Sequence, residues 1–482
     1  VTTSPRGQQS SNPAEPPPGC PAHASGTGSD VRFADAVRLY GPEVEADFDA
    51  VEARLRHTHG PVAPVRLAGD VGAWLILGYQ ENLQAMRNST LFSRDPRNWN
   101  VELAPDSPLA PLTAWAPLPN LTDGPEHARL RGAVTHALET FDRQGVRRYA
   151  VRCAHQQIDT FAEVGKADLV SQYTEQLPLR VVARLLGLDE QHVPQLITSV
   201  RDMLTGSATA VHSNALISGL LNDLFTLKRR APGHDITSSL IRYKTDPARP
   251  GSELTEDQLR DEVREHLRLL LTVAHAPTAS LLASTLRMTL TDARFRGRLA
   301  GGQMSMPHAV EQTLWDQPPF PRLVGRWVKA DTVLGRYDLR KGDLVVHAIG
   351  AANTDPAIRP EDGEPVHNNS SHLTFSAGEH VCPGQELGRA IVETGVDTLL
   401  ERLPDYRLSV GQETVLEHQA LMSRVLESLP VEFTPVARHF PHEQEVVRRP
   451  QPAPVVPQHT PAPPPDEPQQ QPTRRRSLLG RR

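Results

Sequence analysis

HLTFSAGEHVCPGQELGRAIVETGVDTLLERL, residues 372–403, sets one cysteine, Cys382, between a glycine-punctuated loop and an amphipathic helical pattern. Pro383 suits a first helical position, where its missing N–H would have had no partner. The order Cys-Pro-helix therefore predicts a helix beginning directly after Cys382, with free N–H groups and the positive dipole end favouring an anion there. Such a setting lowers a thiol's pKa and keeps it as thiolate. Gly378 and Gly384 would let the backbone approach a flat, bulky ligand or take up positive φ. Local chemistry leaves three roles open for Cys382: a buried structural residue, a nucleophile helped by His380, or a metal ligand.

The rest of the chain narrows the classes. Its 482 residues can bury a large core, and 51 basic against 57 acidic side chains give a net charge of −6. That balance carries no basic excess for nucleic acid. No window approaches about 18 consecutive apolar residues, so no membrane span is expected. The opening VTTSPRGQQSSNPAEPPPG lacks the charged-then-apolar layout of a signal peptide. Cys20, Cys153 and Cys382 are too few and too scattered for a disulfide framework or a zinc cage. The expectation is a cytoplasmic protein.

Composition divides the chain into three. Residues 1–30 are rich in Pro, Ser and Gly, and residues 438–482 repeat Pro and Gln before ending TRRRSLLGRR. Neither buries enough apolar surface to offset ordering, so both are expected to be disordered tails around a folded unit at 31–437. The terminal arginines also suit contact with an anionic membrane surface or a docking arm for an acidic protein partner.

Within the folded unit, helical spacing dominates. Residues 168–187 carry Leu and Val at helical intervals and close on Gly187. Residues 255–290 form the longest element, opened by Thr255 and Gln258 in the pattern of a capping box. About 36 residues at roughly 1.5 Å each make a rod near 54 Å, long enough to cross a domain. Strand-like runs are few, near 65–78 and 331–353. The fold class is mainly α with a minor β region.

FSAGEHVCPG, residues 375–384, resembles the cytochrome P450 signature F-G-x-G-x-[HR]-x-C-x-G, departing at Ser376, where that family usually has glycine. Other segments follow in the family's order across about residues 30–435. The resemblance implies the cytochrome P450 fold, with haem b between the long helix and the cysteine loop, and Cys382 as the iron ligand. DGPEHARLR, 123–131, is similar to the helix that gives a propionate His127 and Arg131, an i, i+4 pair on one face. PPFPRLVGRWVKADTVLG, 318–335, resembles the strand whose arginine meets the second propionate. Register places that arginine at Arg326, with Arg322 second, and His380 is a further propionate partner.

In the long helix, AHAPTA at 274–279 stands where the family carries [AG]-G-x-[DE]-T-[TS]. Thr278 is implied to hydrogen-bond dioxygen or position a water for proton delivery. The acid position is Pro277, which cannot relay protons and predicts a kink by freeing the Val273 carbonyl. His275 could substitute, or simply be packed. The family's E-x-x-R falls on Gln312 and Trp315 of EQTLW, and VHNNSSH at 366–372 holds no arginine for a third partner. This resembles a streptomycete-type P450 family that lacks E-x-x-R, and it predicts a repacked neutral site, since losing all members avoids stranding a buried charge.

Two functions follow. The first is a monooxygenase that inserts one oxygen atom from dioxygen into a small-molecule substrate, with electrons from NAD(P)H through a ferredoxin reductase and a ferredoxin-type redox partner. The second is a haem-binding regulatory or interaction protein with little oxygenase activity, motivated by Pro277, the altered E-x-x-R and the tail. Pocket walls are expected from 85–120 and 190–215.

Overall fold

The long apolar pattern becomes the axis of the molecule. In the computed structural model it is one helix, Glu256–Thr291, opened by the capping box: the Thr255 side chain accepts from the Gln258 amide while Gln258 Oε1 accepts from the Thr255 N–H at 2.9 Å. Pro277 lies inside an unbroken helical run. By length and composition this helix could cross a membrane, but 67% of its apolar window is buried inside the fold, as in a core helix.

The structure describes residues 30–104, 107–205, 209–249, 251–359 and 369–440. The expected tails therefore lie almost entirely outside the described residues, as do small parts of 85–120 and 190–215. Chain contacts separate Val1–His439 from Phe440–Arg482, and the first unit is the one described below.

Six helices position the site: α1 Gly124–Glu139, α2 Arg143–Ile158, α3 Gln176–Leu186, α4 Glu256–Thr291, α5 Met306–Asp316 and α6 Gln385–Arg402. Helix α6 packs on α2, α4 and α5, and α4 also packs on α3. Leu177, Leu186, Leu267, Leu282, Val310 and Leu399 belong to their shared core. The expected helix at 168–187 is shorter. Asp168 ends a strand, Lys166–Asp168, and its carboxylate accepts from the Leu429 amide at 2.7 Å and from Ser171 Oγ at 2.6 Å. A π-turn at Val170–Thr174 follows, and only then does α3 run to Gly187, whose φ of 89° closes it.

The minor sheet has six strands: β1 Val37–Arg38, β2 Val62–Leu67, β3 Val71–Ile76, β4 Phe92–Ser93, β5 Arg322–Val328 and β6 Leu344–Ala348, in lateral order β1-β2-β3-β6-β5-β4. Every residue of β6 is buried, which suits the apolar run LVVHA at the centre of a sheet. The β5–β6 register shifts between Val324 and Arg326, around Gly325 at φ 102°. That bulge decides which arginine of β5 reaches the site.

Candidate functional site

The cysteine loop is anchored at every turn. Leu373–Phe375 form a short 3-10 turn, and Ser376 then takes φ 63° and ψ −172°, a region that favours glycine. Gly378 follows at φ 72°, and a Cβ there would stand 2.7 Å from the Met86 carbonyl, so only glycine fits. The Cys382 amide donates to the Phe375 carbonyl at 2.9 Å, and its sulfur accepts from the Gly384 N–H. Gly384 has an ordinary φ of −97°, and a Cβ there would meet nothing within 4 Å.

Two readings of this loop are corrected. Helix α6 starts at Gln385 with Gly384 as its N-cap, so Pro383 stands before the helix and not at its first position. The Cys382 thiol is also pushed up from its ordinary value: burial outweighs the Gly384 N–H, Arg131 and Arg389, which pull it down. The helix end alone does not hold a thiolate. A metal ion would, because ligation displaces the thiol proton.

Helix α1 brings His127 and Arg131 to the loop. The His127 ring lies 4.3 Å from that of His380, and Arg131 donates to the Val381 carbonyl at 2.5 Å and to Thr135 Oγ1 at 3.2 Å. His380 donates from Nε2 to Asp123 at 3.3 Å. Asp123 also accepts from the Ser93 hydroxyl and the Arg94 amide. Burial raises that carboxyl, but these hydrogen bonds together leave it well below the usual carboxylate range. His380 is pushed down to about 4, chiefly by burial, with Asp123 opposing and Arg94, His127 and Arg326 adding to the fall. At neutral pH it acts as a neutral donor rather than a cation.

Arg326 is 1% exposed and donates to the Phe92 and Met86 carbonyls at 3.1 and 3.3 Å. Burial, then Arg94, push it down to about 9. Arg322 is committed elsewhere, 2.7 Å from Glu52 with its guanidinium 3.7 Å over Phe48. Arg94 is a site residue that no sequence pattern singles out. It is buried, donates to the Gly325 carbonyl at 2.6 Å, and is pushed down to about 10 by burial against the pull of Asp123. Nothing in FSRDPRN marks it; the bulge carbonyl that holds it exists only once β5 is folded.

Three arginines thus converge on the loop, and among the described residues none of them has an Asp or Glu ion-pair partner within 4.0 Å. His127 Nε2 is buried without a hydrogen-bond partner. Desolvated cations left uncompensated in this way require an anion. A group with two carboxylates and a metal for Cys382 answers both needs, so the residues fit haem. Among the described residues no cluster of three or more His, Cys, Asp or Glu could hold a bare metal ion.

Thr278 is buried on α4, and a Cβ on Gly388 of α6 would lie 4.0 Å from its hydroxyl. His275 points away, its Nε2 on the Glu175 carbonyl at 2.9 Å. On α5, Gln312 donates to Asp316 at 2.7 Å and Trp315 Nε1 donates to the Asn369 carbonyl at 2.7 Å. The neutral site expected here is not what forms. Arg359 pairs with Asp316 at 2.6 Å, and Glu311 sits 2.5 Å from Arg389 and 3.2 Å from His372. Of the stretch 366–372, only 369–372 are described; its last residue, His372, meets the carboxylate.

Comparison with known proteins agrees with this geometry. The family model "Cytochrome P450" matches residues 309–427. The chain is 27% identical over 402 residues to the 2-hydroxy-5-methyl-1-naphthoate 7-hydroxylase of Streptomyces carzinostaticus, covering 80% of this chain and 95% of that one. It is 29% identical to the mycinamicin IV hydroxylase/epoxidase of Micromonospora griseorubida, covering 77% and 92%. The solved structure of CYP154C4 from Streptomyces sp. W2061 superposes with a TM-score of 0.72 at 25% identity, covering 82% and 97%. CYP154A1 from Streptomyces coelicolor A3(2) superposes with a TM-score of 0.71 at 25% identity. On fold, cysteine loop and relatives together, the chain belongs to the cytochrome P450 superfamily of monooxygenases.

Proposed function

We propose that this chain binds haem b through Cys382 and inserts one oxygen atom from dioxygen into a small organic molecule. Electrons come from NAD(P)H through a ferredoxin reductase and a ferredoxin. The observation that carries the reading is the juxtaposition of a lone cysteine in a tightly anchored loop with buried Arg94 and Arg326 and half-buried Arg131, none of which has a carboxylate ion-pair partner among the described residues. When bound, haem supplies dioxygen activation, with the thiolate donating electron density to the iron.

The chain's own residues do the rest. Arg326, Arg94 and Arg131, with neutral His127 and His380, would hold the propionates, and burial strengthens each of those hydrogen bonds. Thr278, buried on α4, would hold a water and pass a proton toward the pocket. Free Cys153 and Cys382 suit a reducing compartment, which supports a cytoplasmic location. The relatives named above are, by name, a hydroxylase of 2-hydroxy-5-methyl-1-naphthoate and a hydroxylase/epoxidase of mycinamicin IV, so the substrate class inferred here is a small organic molecule open to hydroxylation.

Pro277 supports a second reading, a haem protein with little oxygenase activity, because His275 is turned to Glu175 and supplies no acid in its place. The reduced, carbon monoxide-bound spectrum is the first test. A Soret band at the thiolate position is expected, and its loss in Cys382→Ala. No haem uptake by the wild-type protein would overturn both readings. Product formation in a reconstituted ferredoxin system separates them, since the second reading expects none.

A further inference from the structure

Glu311 and Trp315 stand one turn apart on α5, and each reaches the cysteine loop or a residue that braces it. Glu311 meets both ends of the loop segment. One carboxylate oxygen lies 3.2 Å from Nε2 of His372, where the segment begins. The other accepts from Nε of Arg389 at 2.5 Å, on the helix that follows Cys382. The Arg389 guanidinium in turn lies 4.5 Å over the ring of Phe375, whose carbonyl accepts the Cys382 amide at 2.9 Å. Trp315 adds an edge-on contact to His372 at 5.8 Å and a hydrogen bond to Asn369.

We propose that Glu311 is the positioning residue of the ligand loop in this chain: its carboxylate closes the segment 372–389 by bridging His372 to Arg389, and Arg389 presses Phe375 into the place that fixes Cys382. The inference rests on Cys382 being the haem ligand. Glu311 and Arg389 are 15% and 11% exposed, so the pair is largely desolvated, and cutting it strands one charge in the fold. A flat guanidinium can accept the carboxylate at its edge and cover an aromatic ring with its face, which an ammonium cannot. Bridging the two ends of a segment also reduces the conformations its middle can sample. Neighbouring Gln312 donates its amide to Asp316 within its own helix, so a charge-bearing clamp on α5 falls to position 311.

The test uses full-length, haem-loaded protein and two measurements: the share of the reduced carbon monoxide complex absorbing at the thiolate position, and the rate of haem transfer to apomyoglobin. Glu311→Gln should lower the thiolate share at least about threefold and speed haem loss by a similar factor. Arg389→Gln should match it, and the double variant should be no worse than the worse single, because both remove one pair. Gln312→Ala should behave as wild type. Wild-type share and rate in Glu311→Gln, or an equal loss in Gln312→Ala, would overturn the clamp. If Glu311→Gln does not fold, Glu311→Asp serves: partial loss is expected, and unchanged behaviour overturns the proposal. A wild-type protein without the thiolate band would instead overturn the ligand reading beneath it.

Discussion

The rings of His127 and His380 lie 4.3 Å apart at 45°, so helix α1 and the cysteine loop meet through two buried imidazoles. His127, His380 and Asp123 share this corner with Arg94 and Arg326, and Asp123 pairs with His380 while forming no ion pair within 4.0 Å with either arginine. The corner is therefore poised for a carboxylate-bearing group and costly without one.

Arg326→Met should separate these two properties. Loss of a charged hydrogen-bond donor is expected to weaken haem binding by about 1.5–3 kcal/mol, about ten- to a hundredfold. Removing an uncompensated buried cation should leave the haem-free protein equally stable or more stable. Haem transfer to apomyoglobin and thermal melting of the haem-free protein measure the two effects. Equal loss in both would show that Arg326 serves the fold alone.

Ser376 occupies a backbone region suited to glycine, at φ 63° and ψ −172°. Relief of about 1–3 kcal/mol of strain, less about 0.5–1 kcal/mol for glycine's extra freedom when unfolded, predicts that Ser376→Gly raises stability by up to about 2.5 kcal/mol. Denaturant unfolding checks it, and a destabilised variant contradicts it. Gly378→Ala should do the reverse and release haem, because its Cβ would press on the Met86 carbonyl.

His266 is fully buried on α4, with Nδ1 2.7 Å from the Glu262 carbonyl, and burial pushes it down to about 4, helped by Lys244. The unfolded chain binds a proton near pH 6.5, while the folded chain refuses it until about 4. Stability from this group is thus complete above pH 6.5 and falls as pH drops toward 4, by up to about 3 kcal/mol. His266→Gln should flatten that part of the stability–pH curve relative to wild type. An unchanged slope would assign the loss to other groups.

Thr278→Ala should keep the thiolate-type spectrum and lower product formed with dioxygen and NAD(P)H by tenfold or more, on the scale of about 10²–10⁴ for a positioned proton donor. Turnover driven by hydrogen peroxide, which arrives already carrying its protons, should fall less. Equal losses by both routes would remove Thr278 from proton delivery.

Residues near one another in the chain were legible from sequence. The Cys382 loop, the capping box at Thr255 and Gln258, the stop at Gly187 and the i, i+4 spacing of His127 and Arg131 are local patterns, set by backbone geometry and helix ends. They sufficed for a mainly helical fold with a cysteine presented ahead of a helix. What burial and distant partners set was decided only by the tertiary structure. The bulge at Gly325 makes Arg326 the arginine at the site and leaves Arg322 to Glu52. Arg94 is held by a carbonyl 231 residues away, and Glu311 by an arginine 78 residues away. The Cys382 thiol rises where its helix alone would lower it, because desolvation depends on everything packed around a group, and no local pattern encodes that.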